Sequence, residues 1–338
     1  MKAVGYTKSL PISETDSLTD FTAEAPMPAG RDLRVAVRAV SVNPVDTKVR
    51  MRAQPKPGEP PKVLGYDAAG VVEAVGPEVT LFKPGDEVFY AGSIVRPGTN
   101  AELHLVDERI VGHKPKALSF AQAAALPLTG ITAWELLFDR LEVKPGKTPD
   151  GRALLVLGGA GGVGSILTQL ARRLTGLTVI ATASRPESRD WCLKRGAHHV
   201  IDHSKPLAEQ LKAIGHANVA LIAGLTGTDQ HFPVVPDVIA PQGKFALIDD
   251  PKTLDVSLLK RKAASLHWES MFTRPIFGTP DMIAQHYLLD DISAMVDDGL
   301  IVTTLAHELT PITAANLRKA HAMVESGRTI GKVVLQGW

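Results

Sequence analysis

The residues that carry the most chemistry are Gly158-Gly159-Ala160-Gly161-Gly162-Val163-Gly164, which follow the apolar run at residues 153–157 directly. They contain G-x-G-x-x-G as Gly159, Gly161 and Gly164. Alone the pattern is weak. Placed after a strand and at the opening of a helix, it marks a turn that holds a dinucleotide. The first glycine is expected to permit the tight turn, the second to let backbone approach a pyrophosphate, and the third to let helix and strand pack closely. The helix start, next to Gly162 and Val163, offers free N–H groups and a partial positive charge to phosphates. A glycine-rich turn with no ligand is the alternative reading.

The end of the next strand, residues 178–183, helps to choose the dinucleotide. An Asp or Glu there bonds the ribose hydroxyls of NAD. This chain has Ser184-Arg185-Pro186 instead. Ser184 can donate a hydrogen bond to a 2′-phosphate and Arg185 can pair with it, with Arg189 four residues further on. These residues favour NADPH over NADH, the alternative being that both arginines are solvated surface charges. Two later strand ends, residues 223–226 with Leu225 and residues 247–249 with Ile248, fall where such sheets line the cofactor crevice.

The elements that must position these residues are legible in part. The 338 residues suggest about two domains. With 44% hydrophobic and 22% charged residues the chain reads as globular, and a net charge of +1 excludes a nucleic-acid surface built on gross charge. Cys192 is the only cysteine, so no intramolecular disulfide and no multi-cysteine metal site can form. No apolar run approaches about 18 residues and the start has no apolar signal core, so a cytoplasmic protein without membrane partners is expected. Residues 1 to about 125 hold short alternating stretches, such as residues 33–40 and 69–75, broken by turn signals, and read as an antiparallel β domain. The prolines within residues 52–61 mark a loop. Residues 120–128 and 132–141 read as helices, with Ser119 as N-cap. Strands are then expected at 153–157, 178–183, 200–202, 219–222 and 244–248, alternating with helices at 164–175 and 187–195. This is an α/β, doubly wound parallel sheet. Helices at 280–298 and 313–327 and a strand at 330–335 close the chain. The simplest organisation is a nucleotide-binding domain inserted in a β-rich domain.

Several segments together resemble the medium-chain dehydrogenase/reductase superfamily, in its zinc-independent quinone oxidoreductase-like branch. They are Val42-Asn43-Pro44-Val45-Asp46, Leu64-Gly65-Tyr66-Asp67-Ala68-Ala69-Gly70, Lys83-Pro84-Gly85-Asp86-Glu87-Val88, residues 123–134, the glycine turn, Gly196-Ala197-His198-His199-Val200-Ile201-Asp202, and Gly331-Lys332-Val333-Val334-Leu335. The resemblance implies a GroES-like β-rich domain over residues 1–127, a Rossmann-type NADP-binding domain over 128–276, and a return to the first domain over 277–338. It also implies a cleft between the domains and a homodimer, with residues 264–271 as a candidate pairing edge.

By the same resemblance, the catalytic zinc ligands of zinc-dependent relatives fall on Asn43, Tyr66 and Leu128. None is a usual zinc ligand, and a catalytic zinc needs about three N, S or O ligands. No metal is expected. Without a Lewis acid, alcohol oxidation is harder than hydride delivery to a quinone or an α,β-unsaturated carbonyl. The expected function is therefore NADPH-dependent reduction of such an acceptor. A zinc-dependent alcohol dehydrogenase and a non-catalytic NADPH-binding protein are the alternatives.

The catalytic candidates are Tyr66, Asn43 and Asp46. Tyr66 could bond a developing oxyanion or relay a proton, or simply pack. Asn43 could bind the nicotinamide ribose or a substrate oxygen, or form a turn with Pro44. Asp46 could orient its neighbours, while Asp67 could orient Tyr66 or close an ion pair. The resemblance adds Thr132 near the nicotinamide carboxamide, with Thr129 one turn before it. It also adds His203 near the adenosine 2′-phosphate, and Lys332 reaching the cofactor. For the threonines, ordinary helix packing is the alternative.

Overall fold

The computed structural model describes residues 1–149 and 151–338. The chain forms two compact units, one of Met1–Ile131 with Phe272–Trp338 and the other of Thr132–Met271.

In the first unit, strand β1 (Asp32–Val42) alternates buried and partly exposed residues, then buries its last four. Such alternation follows from side chains pointing to opposite faces of a sheet. β1 pairs antiparallel with β2 (Ala68–Val75) and with the C-terminal strand Lys332–Gln336, which sets Val333 opposite Val42. Gly70 lets β2 approach β1 closely, because a Cβ there would stand 2.3 Å from the Ala36 carbonyl oxygen. Helix α1 (Pro44–Arg52) leaves β1 at once, with Asn43 as its N-cap. From the sequence, the segment with Asn43 and Asp46 reads as a loop leaving the strand; the structure corrects this to a helix. The helix buries Asp46, Thr47 and Arg50 rather than an apolar stripe, so no hydrophobic period betrays it. Its signal lay in the cap: Asn43, Pro44 in the first turn, and Asp46 three residues on.

The helices expected near residues 120–141 are divided differently. Ser119 does cap Phe120–Ala124, but Pro127 begins a separate helix, Pro127–Trp134, which continues as a π-helical turn over Glu135–Arg140. Proline lacks the N–H needed to extend a preceding helix and suits the first turn of a new one.

The second unit is a six-stranded sheet of β3 (Ala153–Leu157), β4 (Thr178–Thr182), β5 (His199–Ile201), β6 (Val219–Gly224), β7 (Ile239–Leu247) and β8 (Ser265–Trp268), in the order β5-β4-β3-β6-β7-β8. Every neighbouring pair is parallel. The chain runs outward from β3 to β5, then returns to the other side of β3 as β6. That reversal opens a crevice at the carboxyl ends of the strands. Leu155, Ile180, Ile222 and Phe245 pack the sheet's core. Helix α2 (Gly162–Leu174) follows the glycine turn, and α3 (Pro186–Lys194) follows β4. β7 starts five residues earlier than the sequence pattern indicates, because Pro241 and Gln242 interrupt its apolar run and Gln242 takes a φ of 61°.

Candidate functional site

A buried polar cluster sits where β1, β2 and the C-terminal strand meet in the first unit. Asn43, Asp46, Asp67 and Lys332 are each no more than 3% exposed. Lys332 Nζ donates to Asp67 Oδ2 at 3.0 Å, to the Val42 carbonyl at 3.2 Å, and to Asn43 Oδ1. Asn43 Nδ2 donates to the same Asp67 oxygen at 2.7 Å, and the Leu128 backbone N–H donates to Asp67 Oδ1 at 2.7 Å. Burial pushes the Asp67 pKa up, while the Lys332 charge and the donors from Asn43 and Leu128 pull it down. Buried charges persist only when paired and hydrogen-bonded in this way.

Asp46 ties the start of α1 to the strand region. Its Oδ2 accepts from the Asn43 backbone N–H at 2.8 Å and its Oδ1 from the Gly65 N–H at 2.9 Å. Burial raises its pKa to about 7 against those bonds and the Lys332 charge, with Asp67 adding to the rise. One ammonium thus serves two buried carboxyl groups.

Tyr66 is 1% exposed, and its hydroxyl oxygen is buried without a hydrogen-bond partner among the described residues. Its ring meets Phe272 edge-on at 5.5 Å. Burial raises its pKa, helped by the charge of Asp46, so the phenol keeps its proton through the neutral range. Asp67 closes an ion pair with Lys332, the second of its two expected roles. Thr129 Oγ1 donates back to the Leu126 carbonyl at 3.2 Å, an ordinary intrahelical bond, and Thr132 is buried. Behind α1, Arg50 is fully buried and donates to His321 Nδ1 at 3.1 Å and to Glu325 at 2.5 Å. Sequence patterns gave no sign of that triad, in which Arg50 lies more than 270 residues from the other two members.

In the second unit the glycines divide their work differently from the expectation. Gly158 takes the positive φ, 88°, that makes the turn tight. Gly159 is instead a packing residue, since a Cβ there would stand 2.7 Å from the Ala181 Cβ and 3.2 Å from the Cys192 sulfur. A Cβ on Gly164 would fall 2.4 Å from the Gly158 carbonyl, so helix and strand do meet closely there. At Gly161 a Cβ would meet only that carbonyl, at 3.6 Å. The backbone is therefore open at Gly161, and α2 begins there with no side-chain cap. Gly162 and Val163 lie in its first turn, where N–H groups lack intrahelical partners. This is a cradle shaped for a phosphate.

Beyond β4, Ser184 is exposed and Arg185 is half-buried, with its guanidinium 3.1 Å from Glu187. Arg189 donates to the Val200 carbonyl at 2.6 Å, which fastens it over the end of β5. Leu225 and Ile248 continue the ladder past β6 and β7 through bonds to Leu157 and Gly224. His203 stands 6.0 Å, ring to ring, from His231. His231 was not foreseen, because a lone histidine in a polar stretch carries no pattern.

Two family models match the chain: an alcohol dehydrogenase GroES-like domain over residues 29–127, and a zinc-binding dehydrogenase over residues 195–335. A zinc-type alcohol dehydrogenase-like protein of Staphylococcus aureus is 42% identical over 99% of both chains. The chain belongs to the medium-chain dehydrogenase/reductase superfamily, in its quinone oxidoreductase-like branch. A 2-methylene-furan-3-one reductase of Solanum lycopersicum is 41% identical, covering 89% of this chain and 70% of its own. Among solved structures, a Rhizobium etli protein provisionally named a zinc-dependent alcohol dehydrogenase is 61% identical, with a TM-score of 0.96 over 100% of this chain and 98% of that one. The Escherichia coli quinone oxidoreductase solved with NADPH is 26% identical, with a TM-score of 0.85 over the whole of both chains.

The word zinc in those names raises the question of fit in this medium-chain dehydrogenase/reductase. Asn43 Oδ1 is taken by Lys332 and its Nδ2 by Asp67, the Leu128 side chain has no donor atom, and Tyr66 holds its proton. An ammonium ion already provides the positive charge. Among the described residues no group of three or more His, Cys, Asp or Glu is placed to hold a metal. These donors do not fit a zinc ion, which wants about three deprotonated N, S or O ligands in tetrahedral array.

Proposed function

We propose that this protein reduces a quinone or an α,β-unsaturated carbonyl compound with NADPH, without zinc. The observation that carries this reading is the Lys332 ammonium held between Asn43 and Asp67, a fixed protein cation beside Asn43, where the resemblance places a zinc ligand of zinc-dependent relatives. The names of the tomato reductase and the bacterial quinone oxidoreductase support the acceptor class, and the latter's complex supports the coenzyme.

When bound, the nicotinamide supplies hydride. The glycine turn and the start of α2 hold the pyrophosphate, and Ser184 and Arg185 hold the 2′-phosphate, which competes with Glu187 for the Arg185 guanidinium. Tyr66 is the catalytic residue. Its unpartnered hydroxyl donates to the acceptor oxygen on which charge accumulates, and such a donor stabilises the transition state more than the ground state. Asn43, Asp46 and Lys332 are positioning residues, since their polar atoms are committed to one another. An electrophilic acceptor needs alignment and shielding from water more than a Lewis acid.

The test is NADPH oxidation by purified protein with a panel of quinones, enones and alcohols, alongside metal analysis. The expected result is turnover with quinones or enones that survives chelation. About one tightly held zinc per chain, with alcohol oxidation abolished by a chelator, would establish the metal-dependent reading instead. Tight NADPH binding with no turnover on any compound would favour a binding protein.

A further inference from the structure

β5 and β6 are separated in the sheet by β4 and β3. Neighbouring strands lie about 4.8 Å apart, so these two are roughly 14 Å apart. His203 follows the end of β5 by two residues, and His231 closes a short helix, α4 (Thr228–His231), beyond β6. Yet their rings are 6.0 Å apart. The two side chains therefore reach toward each other across the carboxyl ends of β4 and β3, over the crevice that the glycine turn and Ser184 border.

The approach to α4 is fixed at the same crevice. The Thr226 methyl lies over Gly158, 2.8 Å from where a Cβ would stand, and the His231 ring folds back over Gly227, whose φ is 64°. The rings stand at 70°, edge toward face, which makes no slot for a flat adenine between parallel rings. It presents ring nitrogens instead. Neither imidazole hydrogen-bonds to a described residue. The nearby acids, Asp202 beside His203 and Asp249 beside His231, take their hydrogen bonds from other groups: Asp202 accepts from Ser204 at 2.7 Å, and Asp249 from the Thr228 N–H at 2.9 Å. Burial and the neighbouring His203 hold the His231 pKa below its usual range, while Asp249 pulls it up. Two facing imidazoles offer N–H donors that the oxygens of an anion would accept.

We propose that His231 pairs with His203 as a two-imidazole clasp for the phosphate on the adenosine ribose of the coenzyme, which makes His231 a coenzyme-specificity residue. The inference rests on the NADPH reading above and extends it to a residue on a different strand connection. A neutral or protonated imidazole donates an N–H to a phosphate oxygen, and the charged form adds attraction.

The experiment measures dissociation constants of NADPH, NADH, 2′,5′-ADP and 5′-AMP for the wild-type chain, His231→Phe and His203→Phe. Phenylalanine keeps an aromatic ring and removes both nitrogens. His231→Phe is expected to weaken NADPH and 2′,5′-ADP about fivefold or more while leaving NADH and 5′-AMP within about twofold. Unchanged NADH binding also reports that the fold is intact. If the wild type prefers NADPH and His231→Phe keeps the same NADPH-to-NADH ratio, the clasp is wrong and the coenzyme reading stands. If the wild type prefers NADH, both fall together. Equal weakening of all four ligands overturns the phosphate role for His231.

Discussion

Lys332 Nζ lies 3.0 Å from Asp67 Oδ2 in a site where both side chains are buried, although 265 residues separate them in the chain. The contact exists because the C-terminal strand pairs antiparallel with β1, next to β2, whose start at Ala68 follows Asp67. Removing one partner of such a pair strands the other. Lys332→Met is expected to destabilise the protein by roughly 3–5 kcal/mol in urea titrations. Adding Asp67→Leu to Lys332→Met should recover part of that loss. A double variant less stable than either single one would show that the pair is not the coupled unit described here.

Asp46 ties stability to pH. Its folded pKa of about 7 lies above the ordinary carboxyl value, so the folded state holds a proton that the unfolded chain releases. Its contribution is greatest in acid and is lost as pH rises through 7. Asp46→Asn cannot titrate. The stability advantage of wild type over Asp46→Asn should therefore shrink between pH 5 and pH 8 by more than about 1 kcal/mol. A constant difference across that range would place the Asp46 pKa near its unfolded value.

Gly161 and Gly164 separate binding from folding. A methyl at Gly164 meets the Gly158 carbonyl at 2.4 Å, whereas one at Gly161 has room. Gly164→Ala should lower the melting temperature by several degrees. Gly161→Ala should leave melting within about a degree or two and weaken coenzyme binding at least tenfold, because the methyl occupies the phosphate cradle. Coenzyme titration and thermal melts on both variants check this.

Tyr66→Phe removes one hydroxyl that has no partner among the described residues. The protein should keep its stability within about 1 kcal/mol, since no hydrogen bond within the fold is broken. Its kcat with a quinone or enone should fall about ten- to a thousandfold with little change in coenzyme affinity. Steady-state kinetics paired with a urea midpoint measures both. An unchanged kcat would reduce Tyr66 to a packing residue against Phe272.

The β3–glycine–α2 unit could be read from the chain because strand, turn and helix are local and each has its own period: five buried apolar residues, glycines at fixed offsets, then an amphipathic helix. The position of Ser184 and Arg185 at a strand end could be read for the same reason, since they lie just past a short apolar strand. Even there, the sequence assigned the tight turn to Gly159, while the fold gives it to Gly158. Only the folded backbone distinguishes the two glycines, with Gly158 at a φ of 88° and Gly159 packed over Ala181 and Cys192.

Amino-acid order alone determined the alternating sheet, the parallel doubly wound unit, the glycine turn and the lack of a cysteine ligand set, since these depend on neighbours a few residues apart. Tertiary structure decided which groups share a site. Lys332 joins Asp67, Arg50 joins His321 and His203 meets His231 through strand pairings and crossovers that bring distant segments within hydrogen-bond or ring-contact range. The physical reason is that a buried polar side chain must find its partner wherever the fold supplies one, and no local period records where that will be.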